Sequence, residues 1–316
     1  MTRWLVTGAD GMLGTELVQL LGDRDVTAAT LDTLDITDPA AVEQAVPGHD
    51  VVVNCAAWTA VDDAEAHEAQ AFAINATGAA HLARACARSG AWLLQLSTDY
   101  VFGGDAITPY AEDEQVAPGS AYGRTKAAGE WAVGCYLPDR SWVVRTAWLY
   151  GRHGPNFVST MARLERERET VDVVDDQCGQ PTWTGDLATQ LIRLVEAGAP
   201  AGIYHGTASG ETTWYHLARR VFTLLGADPD RVRPCRSEAF PRPAPRPAYS
   251  VLGHRRWAEV GLEPLRRWEV ALDEGVLSIV ARAAVGHPRR GRVGDSTERN
   301  DLPKNRGRRG ASVELP

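Results

Sequence analysis

The sequence predicts a doubly wound α/β fold: a parallel (Rossmann) sheet covered on both faces by helices, with a smaller C-terminal substrate-binding lobe. Three observations predict it. Short apolar runs alternate with helix-length amphipathic segments through the first half. The runs lack polar alternation, as strands buried on both faces require. A glycine-rich turn joins the first run to the first helix, the junction at which such folds receive a nucleotide.

Taken in order, Trp4-Leu5-Val6 reads as the first strand, Gly11 to Leu21 as a helix and Val26 to Ala29 as the second strand. Val51-Val52-Val53, a helix around Ala69 to Ser89, Trp92 to Ser97 and Trp142 to Arg145 continue the series. Residues 1–150 are therefore expected to form the dinucleotide-binding domain. Beyond Tyr150 the pattern loosens. Phe157 to Glu169, Asp186 to Ala197 and Trp214 to Leu225 have helical spacing, Val171 to Val174 and Gly202 to His205 read as strands, and 175–184 reads as a loop. The run Arg242-Pro-Ala-Pro-Arg-Pro247 must be extended, because proline fixes φ and supplies no donor. Residues 151–282 are expected to form the smaller lobe, part of it returning to the main sheet. Residues 286–316 are rich in Arg, Gly and Asn with few apolar residues, so a disordered basic tail is expected.

The 316 residues carry 33 Lys+Arg against 41 Asp+Glu, a net charge of −8. From Val285 onward eight basic residues face four acidic ones, so the body is more acidic still. Such a body excludes a general nucleic-acid binder. The five cysteines (55, 86, 135, 178 and 235) form no C-x-x-C and nothing like a metal site, so no metal is expected. The chain opens on an apolar strand without a leader peptide, and no run approaches membrane-spanning length. A soluble, cytoplasmic protein without a membrane partner is expected, as monomer or homodimer.

Gly8-Ala-Asp-Gly11-Met-Leu-Gly14 follows the first strand and opens the first helix. This spacing lets the backbone turn tightly and brings a pyrophosphate to the positive helix N-terminus. About 20 residues on, neither a carboxylate nor an arginine closes the second strand. Asp32 in the loop beyond is the candidate for the ribose hydroxyls, and the choice between NADPH and NADH stays open.

Ser97-Thr98-Asp99-Tyr100 follows the fourth strand, and Tyr122-Gly-Arg-Thr-Lys126 opens another helix. Spacing of i, i+4 places Tyr122 and Lys126 on one face. There the ammonium is expected to lower the phenol pKa, while Thr98 bonds the same substrate oxygen. Together they polarise a carbonyl and deliver a proton as hydride arrives at its carbon.

With these motifs the chain resembles an extended short-chain dehydrogenase/reductase, and more narrowly the dTDP-4-dehydrorhamnose reductase family, over residues 1–282. The likeness also rests on Leu34-Asp-Ile-Thr-Asp38, Asn54-Cys-Ala-Ala-Trp-Thr-Ala-Val-Asp62, Arg145-Thr-Ala-Trp148-Leu-Tyr150, Gly154-Pro-Asn156-Phe157, Asp175-Asp-Gln177-Cys-Gly179-Gln-Pro181 and Arg246-Pro-Ala-Tyr-Ser250. The resemblance implies Tyr122 as proton donor, Lys126 as its electrostatic partner and ribose ligand, and Thr98 as the hydroxyl that positions the carbonyl. It implies Gly8, Asp10, Gly11, Met12 and Leu13 at the pyrophosphate, Asp35 and Ile36 at the adenine, and Ala56, Ala57 and Thr59 beside the nicotinamide. Thr98, Asp99, Trp148, Asn156, Gln177, Pro181 and Arg246 would meet a dTDP-sugar. Read without the resemblance, Asn156 is a helix cap, Trp148 core and Arg246 a solvated charge.

Related 4,6-dehydratases continue Ser-Thr-Asp with Glu, where this chain has Tyr100, a poor substitute for a carboxylate base. The implied reaction is NAD(P)H-dependent reduction of a dTDP-linked 4-keto-6-deoxyhexose, foremost dTDP-4-dehydro-L-rhamnose. The alternatives are a dTDP-dihydrostreptose synthase, an epimerase and a non-catalytic nucleotide sensor. The chain departs from the family pattern at Gly103, Ala147 and Gln180, and Gln180 and Trp183 lie in the loop expected to meet the sugar. Glu16 matches a position that serves as metal ligand in some members.

Overall fold

A computed structural model describes residues 2–285, so the expected tail, 286–316, lies outside the described residues. The first half runs β1 (Trp4–Thr7), α1 (Met12–Leu21), β2 (Val26–Ala29), α2 (Pro39–Ala45), β3 (Val51–Asn54), α3 (Val61–Ala66), α4 (Glu68–Phe72), a π-helical segment (Ala73–Gly78), α5 (Ala79–Ser89), β4 (Trp92–Thr98), α6 (Ala121–Tyr136) and β5 (Ser141–Thr146). The second half continues with β6 (Leu149–Tyr150), α7 (Phe157–Glu167), β7 (Val171–Val174), β8 (Cys178–Gly179), β9 (Thr182–Trp183), α8 (Thr184–Glu196), β10 (Gly202–His205), β11 (Ala208–Ser209), β12 (Thr212–Thr213), α9 (Trp214–Leu224), β13 (Val232–Cys235), α10 (Arg255–Glu259), β14 (Leu265–Arg267) and α11 (Trp268–Val285).

Six strands form one sheet in the order β10-β5-β4-β3-β1-β2, every pair parallel. Chain order reverses between β1 and β3, so the crevice beyond their carboxyl ends is the topological switch point where doubly wound folds bind ligands. β1, β3 and β5 are buried along their whole length, which explains their unbroken apolar runs. One face packs α1 and α8 through Leu13, Leu17, Leu187 and Leu191. The other packs α2, α5 and α6 through Val42, Leu82 and Val133. β10 joins the sheet beside β5, so the second half contributes an edge strand to the first. A separate core lies between α7, α9 and α11, built on Phe157, Met161, Phe222 and Leu272.

Two histidines, one buried (His205) and one half-buried (His254), pin the returning chain. His205 Nδ1 lies 2.9 Å from the Gly253 carbonyl oxygen, and His254 Nε2 lies 2.8 Å from Thr207 Oγ1. Burial pushes their pKa values down, to about 3 and about 4. The unfolded chain therefore takes up protons that the folded chain refuses, and stability falls as pH drops below about 6.5 towards 4. Thermal melts are expected to show a Tm that declines between pH 7 and pH 5, with a shallower slope in His254→Gln. An unchanged slope in the variant would show that His254 titrates normally in the fold.

Candidate functional site

Site construction starts at the glycine turn. Gly8 has φ +62°, and a Cβ there would stand 2.6 Å from the Ala56 nitrogen. A Cβ on Gly14 would stand 2.1 Å from the Gly8 carbonyl oxygen. The turn is thus folded as tightly as backbone allows, against the end of β3, and only glycine leaves the groove open. α1 begins at Gly11 with no side chain capping it and no acidic residue in its first turn. A bare, positive helix start next to a backbone-lined groove fits a dinucleotide pyrophosphate. Leu13 is buried in the core and Met12 half-buried, so their share in such a site is backbone, while Asp10 stands exposed on the turn.

Asp35 and Ile36 follow β2 on the same side. Asp35 is exposed and accepts hydrogen bonds from the Thr37 backbone N–H (2.8 Å) and hydroxyl (2.7 Å), which hold its carboxyl below the ordinary range. The Ile36 side chain is buried against Gly78, so it anchors the loop from below. Asp32 is exposed. Ala56, Ala57 and Thr59 line the loop that leaves β3, half-buried to exposed. Asn75, in the π-helical segment, fixes that loop: its Oδ1 accepts from the Trp58 N–H at 2.9 Å and its Nδ2 donates to the Trp58 carbonyl at 3.1 Å. π-Segments of this kind cluster at functional sites because they re-aim one side chain. Asn75 was not foreseen, since an Asn within an apparently regular helix gives little signal.

Thr98 ends β4, and Ser120 caps α6 by accepting from the Gly123 N–H, which sets Tyr122 and Lys126 on the helix's first turns. The Thr98 hydroxyl donates to Asp99 at 2.9 Å and pulls the Tyr122 phenol down against the burial that raises it. Lys126 is buried, donates to the Leu96 carbonyl at 2.6 Å, and lies near enough to act on the Cys55 thiol. Thr98 at the end of β4 and Tyr122 and Lys126 on the first turns of α6 thus stand near the end of β3. Their electrostatics differ from expectation. Burial pushes Tyr122 up to about 12, and Lys126 is not among the groups acting on it. Burial also lowers Lys126 to about 8. The Lys126 ammonium is engaged with a strand carbonyl, leaving the phenol protonated across the neutral range, the form a proton donor needs.

Beneath these groups lies a buried ion pair that the sequence reading did not identify. Arg145 Nε and Nη2 donate to the two oxygens of Glu130 at 2.9 and 2.7 Å, and Ser97 Oγ donates to Glu130 Oε1 at 2.5 Å. Its signal was present: an arginine in an apolar strand, and a glutamate one turn after Lys126.

The second half closes over Tyr100 as a cleft lined by Trp148, Gln177, Trp214, Arg242 and Arg246. Trp148 has φ +46°, the sole positive φ among described non-glycine residues. Its indole stacks on Trp214 at 3.5 Å and lies against Gly179, where a Cβ would collide with the ring. Gln177 steadies the stack by accepting from Trp214 Nε1 at 3.2 Å while donating to Ser237 at 2.9 Å. Arg246 is no solvated charge. It pairs with both oxygens of Asp62 at 2.9 and 2.8 Å, tying the proline-rich segment to α3.

Other residues of the predicted site turn inward. Asn156 is buried and caps α7, its amide donating to Gly151 and Gly154 carbonyls and its oxygen accepting from Ser159 N–H. It therefore braces the turn that enters α7. Pro181 is likewise buried. Asp99 is 2% exposed and accepts from the Thr98 hydroxyl at 2.9 Å, so it backs Thr98. Gln180 accepts from Thr207 and from the Leu252 N–H, both at 2.8 Å, and Trp183 lies under Arg266 and against α11. Glu16 is paired with Arg152 at 2.7 Å, and the described residues hold no cluster of three metal-ligating side chains. No helix among them is long and apolar enough to cross a membrane.

Residues 2–280 match the family model described as RmlD substrate binding domain. The chain belongs to that family. It is 59% identical over 289 residues to a dTDP-4-dehydrorhamnose reductase of Streptomyces griseus, covering 89% of this chain and 95% of the relative. To a dTDP-4-keto-6-deoxy-D-glucose reductase of Streptomyces niveus it is 55% identical over 276 residues, covering 86% and 96%. Among solved structures, the dTDP-4-dehydrorhamnose reductase of Bacillus anthracis in complex with NADP superposes with a TM-score of 0.84 at 37% identity, covering 88% and 99%. This member of the RmlD family therefore aligns along nearly its whole described length with reductases of nucleotide-linked deoxysugars.

Proposed function

We propose that the chain reduces the carbonyl of a dTDP-linked 4-keto-6-deoxyhexose, foremost dTDP-4-dehydro-L-rhamnose, using NADPH or NADH. The observation that carries this reading is the placing of Thr98 at the end of β4 and of Tyr122 with buried Lys126 one turn on in α6, beside the Gly8–Ala56 groove. When bound, the cofactor supplies hydride to the carbonyl carbon. Tyr122 gives its proton to the oxygen as negative charge develops there, and Thr98 holds that oxygen in line. The bare start of α1 takes the pyrophosphate, and Lys126 supplies positive charge at the end of β4. In this reading residues 1–150 carry the nucleotide and 151–282 the sugar side. The unpaired state of all five cysteines is in keeping with a cytoplasmic enzyme.

Substrate is expected to enter between Tyr100 and the Trp148–Trp214 stack, with Arg242 and Arg246 at the mouth. Both arginines reach Asp62, so their charge is partly neutralised and they are held in place. The most direct test mixes the protein, NADPH and an enzymatically prepared dTDP-4-keto-6-deoxy sugar, follows absorbance at 340 nm and identifies the product. Loss of absorbance with formation of a 4-hydroxy sugar is expected. No oxidation of either cofactor, or an isomer formed without it, would overturn the reading.

A further inference from the structure

Lys126 and Glu130 stand one turn apart on α6 and hold consecutive residues of β4. Lys126 donates to the Leu96 carbonyl at 2.6 Å, and Ser97 Oγ donates to Glu130 Oε1 at 2.5 Å. Thr98 is the next residue and the last of the strand. Glu130 is itself fixed from β5. Ser97 and Arg145 are register partners across β4 and β5, so both reach the same carboxylate, Arg145 through Nε at 2.9 Å and Nη2 at 2.7 Å. The third nitrogen of the guanidinium, Nη1, lies 3.3 Å from the Glu112 carbonyl oxygen and 3.4 Å from His205 Nε2. His205 ends β10 and turns its Nδ1 to the Gly253 carbonyl, which leaves Nε2 as the acceptor. Ser97, Glu130, Arg145 and His205 are all buried.

An ion pair is a poor way to fill a core, since apolar side chains of similar volume stabilise it as well or better. What a fully bonded polar network does provide is a single arrangement, because hydrogen bonds have directions and apolar contacts can slide. Here it leaves the carboxyl end of β4 one place against α6. Resting on the reductase reading, we propose that Glu130, held by Arg145 and acting through Ser97, is a positioning residue that sets Thr98 against Tyr122 for the reaction. No proton passes through Glu130 or Ser97 in this role. Reacting groups must be held to within about 0.5 Å, and a misplacement of about 1 Å costs on the order of 10²-fold in rate. Loss of one grip on the strand therefore falls on the chemical step, not on binding.

Ser97→Ala removes the grip and leaves the ion pair whole. Ser141→Ala is its control, a similarly buried hydroxyl at the far end of β5 that donates to the Leu137 carbonyl at 2.7 Å. With saturating NADPH and dTDP-4-keto-6-deoxy sugar, stopped-flow hydride transfer is expected to fall about tenfold in Ser97→Ala and to stay within about twofold in Ser141→Ala. KM and the Kd for NADPH are expected to change less than about threefold in both, and both Tm values to drop alike, by about 2–4 °C. Arg145→Met combined with Glu130→Leu separates positioning from stability. That double variant strands no charge, so it is expected to melt closer to wild type than Arg145→Met alone, yet to transfer hydride at least tenfold slowly. Ser97→Ala decides alone if the double variant does not fold. A full rate in either, equal slowing by Ser97→Ala and Ser141→Ala, or a loss confined to KM or Kd would overturn the proposal. A wild-type protein that oxidises neither NADPH nor NADH would instead refute the reductase reading, and the proposal with it.

Discussion

Tyr122→Phe is expected to lower kcat by about 10²- to 10⁴-fold, the range that removal of a general acid produces, while the Kd for NADPH changes little. The substitution deletes one oxygen. Thr98 keeps its bond to Asp99, the Tyr100 N–H still reaches Thr98 at 3.2 Å, and the ring keeps its edge contact with Tyr100 at 5.7 Å. Fold and cofactor groove are therefore left standing, and the loss falls on the chemical step. Because the phenol is held up near 12, no inflection from Tyr122 is expected in the pH profile between 6 and 9. Stopped-flow oxidation of NADPH beside a fluorescence titration of cofactor binding separates the two effects. Turnover within a few-fold of wild type would remove Tyr122 as the acid.

The second large effect is on stability. Arg145→Met is expected to cost about 3–5 kcal/mol, because it strands Glu130 as an uncompensated charge in the interior. Arg145 and Glu130 are 2% and 8% exposed in their side chains, so water cannot take over the missing bonds. The guanidinium also lies over the Phe102 ring at 4.9 Å and donates to the Glu112 carbonyl at 3.3 Å, contacts that methionine replaces only in part. A Tm lowered by roughly 5–15 °C is expected in a thermal melt. Pairing it with Glu130→Leu removes the stranded charge, so the double variant should recover much of the loss. A single variant as stable as wild type would show that the pair contributes nothing net.

Much of this molecule is legible in its sequence because the relevant physics is local. Strand β1, the glycine turn and α1 are contiguous, so period and spacing alone place a groove at Gly8. Tyr122 and Lys126 share a helical turn. What escaped the reading are contacts across long separations: Asp62 with Arg246, Ser97 and Arg145 with Glu130, Asn75 with Trp58. Each is an ordinary polar residue until the fold supplies its partner. Burial is the other property that spacing does not reveal. Asn156, Asp99, Pro181 and Gln180 sit in motifs of the functional half, but a motif does not say which of its side chains turn inward. For the same reason the Tyr122 pKa went the opposite way from expectation: neighbouring charge can be inferred from spacing, desolvation cannot.

β10 carries a consequence for how the enzyme can move. Because Gly202–His205 is laced into the sheet beside β5, the chain after residue 150 cannot swing as an independent body about a hinge. A fragment ending there would expose the flank of β5, a long apolar edge prone to self-association. The proline-rich strap from Phe240 to Pro247, which Asp62 fastens at Arg246, lines the cleft against that fixed frame.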